Sequence, residues 1–305
     1  MNARLPFNTT DISCALPAIV VPNGIDNVSA GVSGGSFSGT LSNAAYHALG
    51  GHISCSGMKA LLRSPAHYQA YLEDPDDDGV KPNMGTAAHC AVLEPHSYDD
   101  RYTVYEKRRA GAPWETFKEL HSGKLILNRA EADNVMGMYH AVMNFRDFPL
   151  AKALSLGESE KSIFWTDRET GVKCRLRADS LNPCAILDLK TIDDARPEKV
   201  LRQVVRMDYD LQAAMYTEGV REFTGKTLPF VFVFVEDKKP HGVWLYTAGQ
   251  SVIDNGMRKF RRGLEAVKRL QDTDDWHGYL GAMTTLELPR YAQLADTTGN
   301  GANYD

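Results

Sequence analysis

The run Leu228–Glu236 (LPFVFVFVE) restricts this chain more than any other segment. It alternates Phe and Val with no polar residue until its end, is too short for an average helix, and reads as a buried strand. Val243–Ala248 is its expected hairpin partner. Upstream lies a second β-rich region. Ser162–Asp167 (SIFWTD) leads into the turn signal Arg168–Gly171 (RETG). Val172–Ala178 (VKCRLRA), a turn at Asn182-Pro183 and Ala185–Thr191 (AILDLKT) follow. Short β-rich runs separated by turn residues read as a meander.

Helical signals surround these strands. Ser54 can cap a helix carrying Met58, Leu61 and Leu62, and Ser64 a second that opens on Pro65. A third is expected from near Met84 to Pro95, and another from about Arg129 to Phe145. A short strand is expected at Tyr102–Tyr105, followed by a loop holding Lys107-Arg108-Arg109. Two helices are read between the β-rich regions, near Pro197–Val205 and from Asp208 or Asp210 to Phe223. The last, Gln250–Leu270, shows Ile253, Met257, Phe260, Leu264 and Val267 as one apolar stripe.

Three parts are expected along the 305 residues. Residues 1–50 include the Gly/Ser-rich run Ser29–Thr40 and read as a flexible arm. Residues 51–292 form the folded domain, and residues 293–305 a frayed tail. The acidic run Asp74–Asp78 reads as a solvated loop. No stretch approaches the ~18 apolar residues that span a membrane. Five cysteines without a C-x-x-C pair argue against a zinc site, an iron–sulfur cluster or a disulfide framework. With no secretory signal in view, a cytoplasmic protein is expected. The 34 basic and 39 acidic residues leave a net charge of −5, which excludes a generic DNA coater.

The chemistry concentrates in Arg177-Ala178-Asp179 and Asp188-Leu189-Lys190. Residues i and i+2 of a strand share a face, so Asp188 and Lys190 point the same way. A paired hairpin brings Asp179 alongside. Converging carboxylates repel unless a cation lies between them, and hard oxygen donors favour Mg²⁺ or Mn²⁺. A lysine beside such an ion can act on an attacking water or steady charge on a phosphate. Asp188 and Lys190 lie in the apolar run Ile186–Ile192, where buried charges need a reason to exist. His89, in the small-residue run Gly85–His89, could reach the same place or simply satisfy a backbone carbonyl in a core. Gln212 and Tyr216 share one helix face at i and i+4. Glu160 stands just before the first strand of the meander.

The order Gly-Thr-Ala-Ala-His, Glu, Asp, Asp-x-Lys, Gln-x-x-x-Tyr resembles the PD-(D/E)XK nuclease superfamily, and within it the RecB-like exonuclease branch. Ile53–Leu72, Met84–Pro95 and Tyr209–Tyr216 resemble the exodeoxyribonuclease VIII (RecE) nuclease domain and its phage relatives. The resemblance implies an α/β (α+β) fold, a restriction-endonuclease-like core with a central mixed sheet flanked by helices. It implies that His89, Asp179, Asp188 and the Leu189 carbonyl ligate metal, with Glu160 near a second ion. Lys190 would act on the nucleophilic water, Gln212 and Tyr216 would brace the site and touch DNA, and Thr191 would contact phosphate. Ala178 stands where the superfamily name has Pro. The implied activity is Mg²⁺-dependent 5′-to-3′ digestion of one strand of linear duplex DNA, leaving a 3′ tail for a strand-annealing partner protein. A ring-like homo-oligomer, trimer or tetramer, is implied with it. The alternatives are a superfamily endonuclease in restriction or repair and a non-catalytic DNA-end-binding protein. A Cas4-like nuclease is disfavoured because its cysteine cluster has no counterpart.

The charge then takes on a different meaning. Two divalent ions would bring −5 to −1. Between Gln250 and Leu270 six basic residues face only Asp254 and Glu265. Arg258 and Arg262 on that helix are candidate DNA contacts, against the alternative of a solvated amphipathic face.

Overall fold

The computed structural model describes residues 29–30, 37–39, 41, 43–73, 84–281 and 283–288. The N-terminal elements are β1 (Ser29–Ala30), β2 (Phe37–Gly39) and α1 (Asn43–Ala48). In α2 (Cys55–Arg63) the Ser54 hydroxyl accepts from the Gly57 N–H, as its sequence position predicts. α3 (Pro65–Glu73) opens with the His67 N–H donating to Ser64 Oγ. α4 (Met84–Leu93) ends before Pro95, which cannot continue a helix but starts α5 (Pro95–Arg101). β3 (Tyr102–Val104), α6 (Ala112–Leu120) and β4 (Leu125–Leu127) follow, and β3 pairs with β4 in a small parallel ribbon. α7 (Arg129–Met143) begins at a reciprocal cap between Asn128 and Glu131, and α8 (Leu150–Ser155) is a short turn of helix.

The meander is β5 (Glu158–Thr166), β6 (Lys173–Asn182) and β7 (Ala185–Ile192). α9 (Pro197–Arg206) and α10 (Tyr209–Thr224) then cross to β8 (Phe230–Glu236). β9 (Val243–Thr247) returns antiparallel, and α11 (Gln250–Thr273) closes the fold. The sheet order is β1-β2-β5-β6-β7-β8-β9. Among the described strands of this sheet only β7 and β8 pair in parallel, and a parallel pair needs a crossover, here α9 and α10. The core is thus a mixed sheet of β5 to β9, extended at one edge by β1 and β2.

The Phe/Val alternation of β8 explains how both faces are covered. Phe230, Phe232 and Phe234 join Ile186 in a core roofed by α2, α9, α10 and α11. Val231, Val233 and Val235 join Leu187 and Leu189 beneath α4, α7 and α8. The large side chains fill one layer and the small ones the other, as a period of two requires. α11 lies close to its neighbours because Gly256 sits against the Asp210 backbone and Gly263 against Met58.

Several expectations change. The folded unit reaches into the segment read as an arm. β2 pairs with β5, and Tyr46 of α1 is buried with its ring against Phe164. Residues 1–28, 31–36, 40 and 42, the Asp74–Asp78 loop and residues 293–305 lie outside the described residues. β4, α6 and α8 carry too few apolar residues to announce themselves by periodicity, and none was expected. The helix expected from near Met84 is α4, which ends at Leu93, two residues short of Pro95. β5 starts at Glu158 rather than Ser162, so Glu160 lies inside the strand. No described helix is long and apolar enough to cross a membrane.

Candidate active site

The site is built where three strands come level and two of them part. Ser159 faces Ser180 and Lys161 faces Ala178 across β5 and β6, so Glu160 stands level with Asp179. Across β6 and β7, Ser180 faces Leu187, which puts Asp179 level with Asp188. The β6–β7 pairing stops at that rung. Glu160 has φ +52°, a left-handed conformation unusual for a residue with a side chain. It interrupts the β5–β6 ladder at the position where the strands must turn their side chains towards a common point.

Asp179 fills the fork. Its Oδ2 accepts the Leu189 N–H at 2.8 Å, in place of a carbonyl from the neighbouring strand. His89 reaches the same point from α4, whose Ala87 and Ala88 are fully buried and let the helix sit close to the sheet. The imidazole hydrogen-bonds the Leu189 backbone, and its Nδ1 lies 3.7 Å from Asp179 Oδ2. Leu189 therefore serves both neighbours through its main chain. One donor atom each from His89, Glu160 and Asp179 falls within 4.8 Å of the others.

Asp188 stands beside this trio rather than in it. Its carboxylate is fully buried, and Oδ1 accepts the Gln212 Nε2 at 2.8 Å. Lys190 Nζ lies 2.7 Å from Oδ2, pairing the two charges directly. The Lys190 ammonium also lies 5.2 Å from the centre of the Tyr209 ring. Tyr216, one turn beyond Gln212, is buried edge-to-face on Phe230. Thr191 faces Val235 in β8 and alternates to the opposite side of β7 from Lys190. Arg258 donates to Asn255, and with Arg262 it lines a shallow groove of about 520 Å³ that also contains Asp254 and Glu265. The structure does not bring those two arginines into the trio.

The sequence reading missed Arg177. It lies two residues before Asp179, and that i, i+2 spacing on one strand was the available signal. Its guanidinium sits 4.1 Å over the Tyr46 ring, donates to Ser162 Oγ and lies 3.9 Å from Glu160.

Burial and mutual repulsion dominate the electrostatics. Burial, with the Asp179 charge, pushes the Glu160 carboxyl up to about 7. Burial raises Asp188 to about 6 against the opposing pull of Lys190, and it raises Asp179 as well. Burial and the nearby Lys190 charge hold His89 down to about 4, so its ring is neutral and able to ligate. Burial opposes the charge on Lys190, but Asp188 and Asp179 outweigh it and keep the group a firm ammonium. Three carboxyls that resist ionising together and a neutral imidazole suit a divalent cation. Oxygen donors dominate, which matches Mg²⁺ or Mn²⁺ better than a thiophilic ion.

A family model described as "PDDEXK-like domain of unknown function (DUF3799)" matches residues 54–288. The chain belongs to this family. The matched span holds every residue of the fork, from His89 to Tyr216. Among curated proteins, none matches the chain. The chain is similar to a crystal structure of a protein from Eubacterium rectale titled "Putative exonuclease", with a TM-score of 0.56 and 18% identity. The alignment covers 77% of this chain and 88% of the other. At that identity the likeness establishes a shared fold. The PDDEXK-like chain therefore has the α/β core of a nuclease superfamily, its acidic cluster at the fork between β6 and β7.

Proposed function

We propose that this protein is a Mg²⁺-dependent 5′-to-3′ exodeoxyribonuclease acting on linear duplex DNA, with Mn²⁺ as a substitute ion. The 3′ single-stranded tail it leaves is the substrate of a strand-annealing partner, and the working form is a ring-like homo-oligomer. The observation carrying the nuclease reading is the fork, where His89, Glu160 and Asp179 converge beside an Asp188–Lys190 pair. The family match supports the reaction class, and the order of motifs along the chain supports the exonuclease branch.

His89, Asp179, Asp188 and the Leu189 carbonyl would hold the cation, with Glu160 at its side. The ion would supply Lewis acidity at the scissile phosphate and a more acidic water. The chain's own residues do the rest. The Leu189 N–H fixes the Asp179 carboxylate, and Gln212 fixes that of Asp188, so neither has to reorganise when a phosphate arrives. Lys190, held as an ammonium, donates hydrogen bonds to the attacking water and the charged phosphate oxygens. Tyr216 packs behind Gln212 and stiffens its helix.

The decisive experiment digests 5′-labelled and 3′-labelled linear duplex with and without Mg²⁺. Mononucleotide release from the 5′ label is the expected result. Release from the 3′ end first would overturn the polarity, and cutting of a covalently closed circle would make the protein an endonuclease. Asp188→Ala and Lys190→Ala are each expected to lower hydrolysis by at least 10³-fold while circular dichroism stays native. Full activity in either variant would sink the site assignment.

A further inference from the structure

Lys190 has a second neighbour that the acidic cluster does not account for. Lys190 Nζ lies 2.7 Å from Asp188 Oδ2, and a contact to one carboxylate oxygen leaves the ammonium able to pivot about it. The Tyr209 ring limits that swing, with Nζ 5.2 Å from its centre. The ring is itself held on several sides. It packs on Phe232 and Phe234, with centroids 6.2 and 6.4 Å away. Lys59 Nζ lies 5.4 Å from the same ring and donates to the Met207 carbonyl at 2.6 Å. Asp208, just before Tyr209, is in the left-handed region at φ +50°, and Lys259 clamps both Asp208 and Asp210. A non-glycine residue in that conformation persists only when its surroundings enforce it. Here the enforced turn sets the Tyr209 ring beside Lys190.

We infer that Tyr209 is a positioning residue for Lys190, holding its ammonium by a cation–π contact that remains when a bound cation draws off the charge of Asp188. This rests on the nuclease reading. The role belongs to the ring face and not to the hydroxyl, so Tyr209→Phe keeps kcat within about 2-fold. Tyr209→Leu lowers kcat by about 3- to 30-fold, ~0.6–2 kcal/mol, with KM unchanged.

A packing role would also favour Phe over Leu, so the test uses phenylalanines of nearly constant shape. Mono-, di- and trifluorophenylalanine are placed at position 209 of the full chain, and hydrolysis of linear duplex in Mg²⁺ is measured. The expected result is a stepwise fall in kcat with each fluorine, as the negative ring face weakens, at an unchanged melting temperature. A second measurement needs no metal. The Lys190 ε-methylene protons are expected upfield by ring current in the wild-type and Tyr209→Phe proteins, and at the ordinary lysine position in Tyr209→Leu. A flat kcat across the fluorinated series, or unshifted Lys190 methylenes in the wild type, would overturn the assignment. If the wild-type protein hydrolyses nothing, the nuclease reading fails, and the methylene shift still decides whether ring and ammonium meet.

Discussion

Glu160 combines a left-handed backbone, a half-buried carboxyl pushed up to about 7 and a neighbouring Asp179 that repels it. Its folded pKa stands above the ~4.3 of an unfolded glutamate. The folded state therefore holds the proton more tightly than the unfolded state. The resulting stabilisation is complete below about pH 4.3 and disappears as pH rises through 7. In EDTA the urea midpoint is expected to fall between pH 5 and 8, by an amount worth roughly 3 kcal/mol from this group. Glu160→Gln should flatten that slope, and millimolar Mg²⁺ should raise the wild-type midpoint at pH 8. A slope unchanged in Glu160→Gln would mean that another group titrates. The residue types at the fork were legible in the sequence because Asp-x-Lys lies on an apolar strand and because their order along the chain resembles a known superfamily. The left-handed turn at Glu160 was not, since nothing in SerGluLys signals an interrupted ladder, and Arg177 went unremarked for want of a placed partner.

Elements with strong periodicity were legible: the meander, β8, α10 and α11. Those decided by their surroundings were not. β4 is three apolar residues that form a strand only because β3 lies beside them. α8 is six residues held against α7. β2 joins the sheet by pairing with β5, and α1 is tied down where Arg175 donates to the Tyr46 and Leu49 carbonyls at its end, contacts between residues over a hundred positions apart. At the same scale α11 depends on close approach. A β-carbon at Gly256 would stand 1.9 Å from the Asp210 carbonyl oxygen, so the helix would have to move. Gly256→Ala is expected to destabilise the fold by ~1–3 kcal/mol in urea denaturation. Because Asp210 adjoins Tyr209, the displacement should also lower kcat. A neutral substitution would show that α11 slides freely over α10.

As a whole molecule the chain carries −5, and Glu160, Asp179 and Asp188 stand level at the fork. Duplex binding should accordingly depend on the cation. For the Lys190→Ala protein, fluorescence anisotropy is expected to show at least ten-fold weaker affinity for linear duplex in EDTA than in Mg²⁺, further weakened by salt. Equal affinity in both buffers would place the main grip on basic surfaces such as α11. The overall architecture was legible because alternation in β8 demands two covered faces, whereas the end of β6–β7 pairing one rung before Asp179 and Asp188 was not. That opening has a genetic consequence. Leu189 reaches Asp179 through its amide and His89 through its main chain, and neither group is encoded by the side chain. An alanine scan would register only the packing lost when the buried leucine side chain is cut back. Replacing its amide by an ester, which puts an oxygen in place of the N–H and keeps the side chain, is the change to which this position should respond.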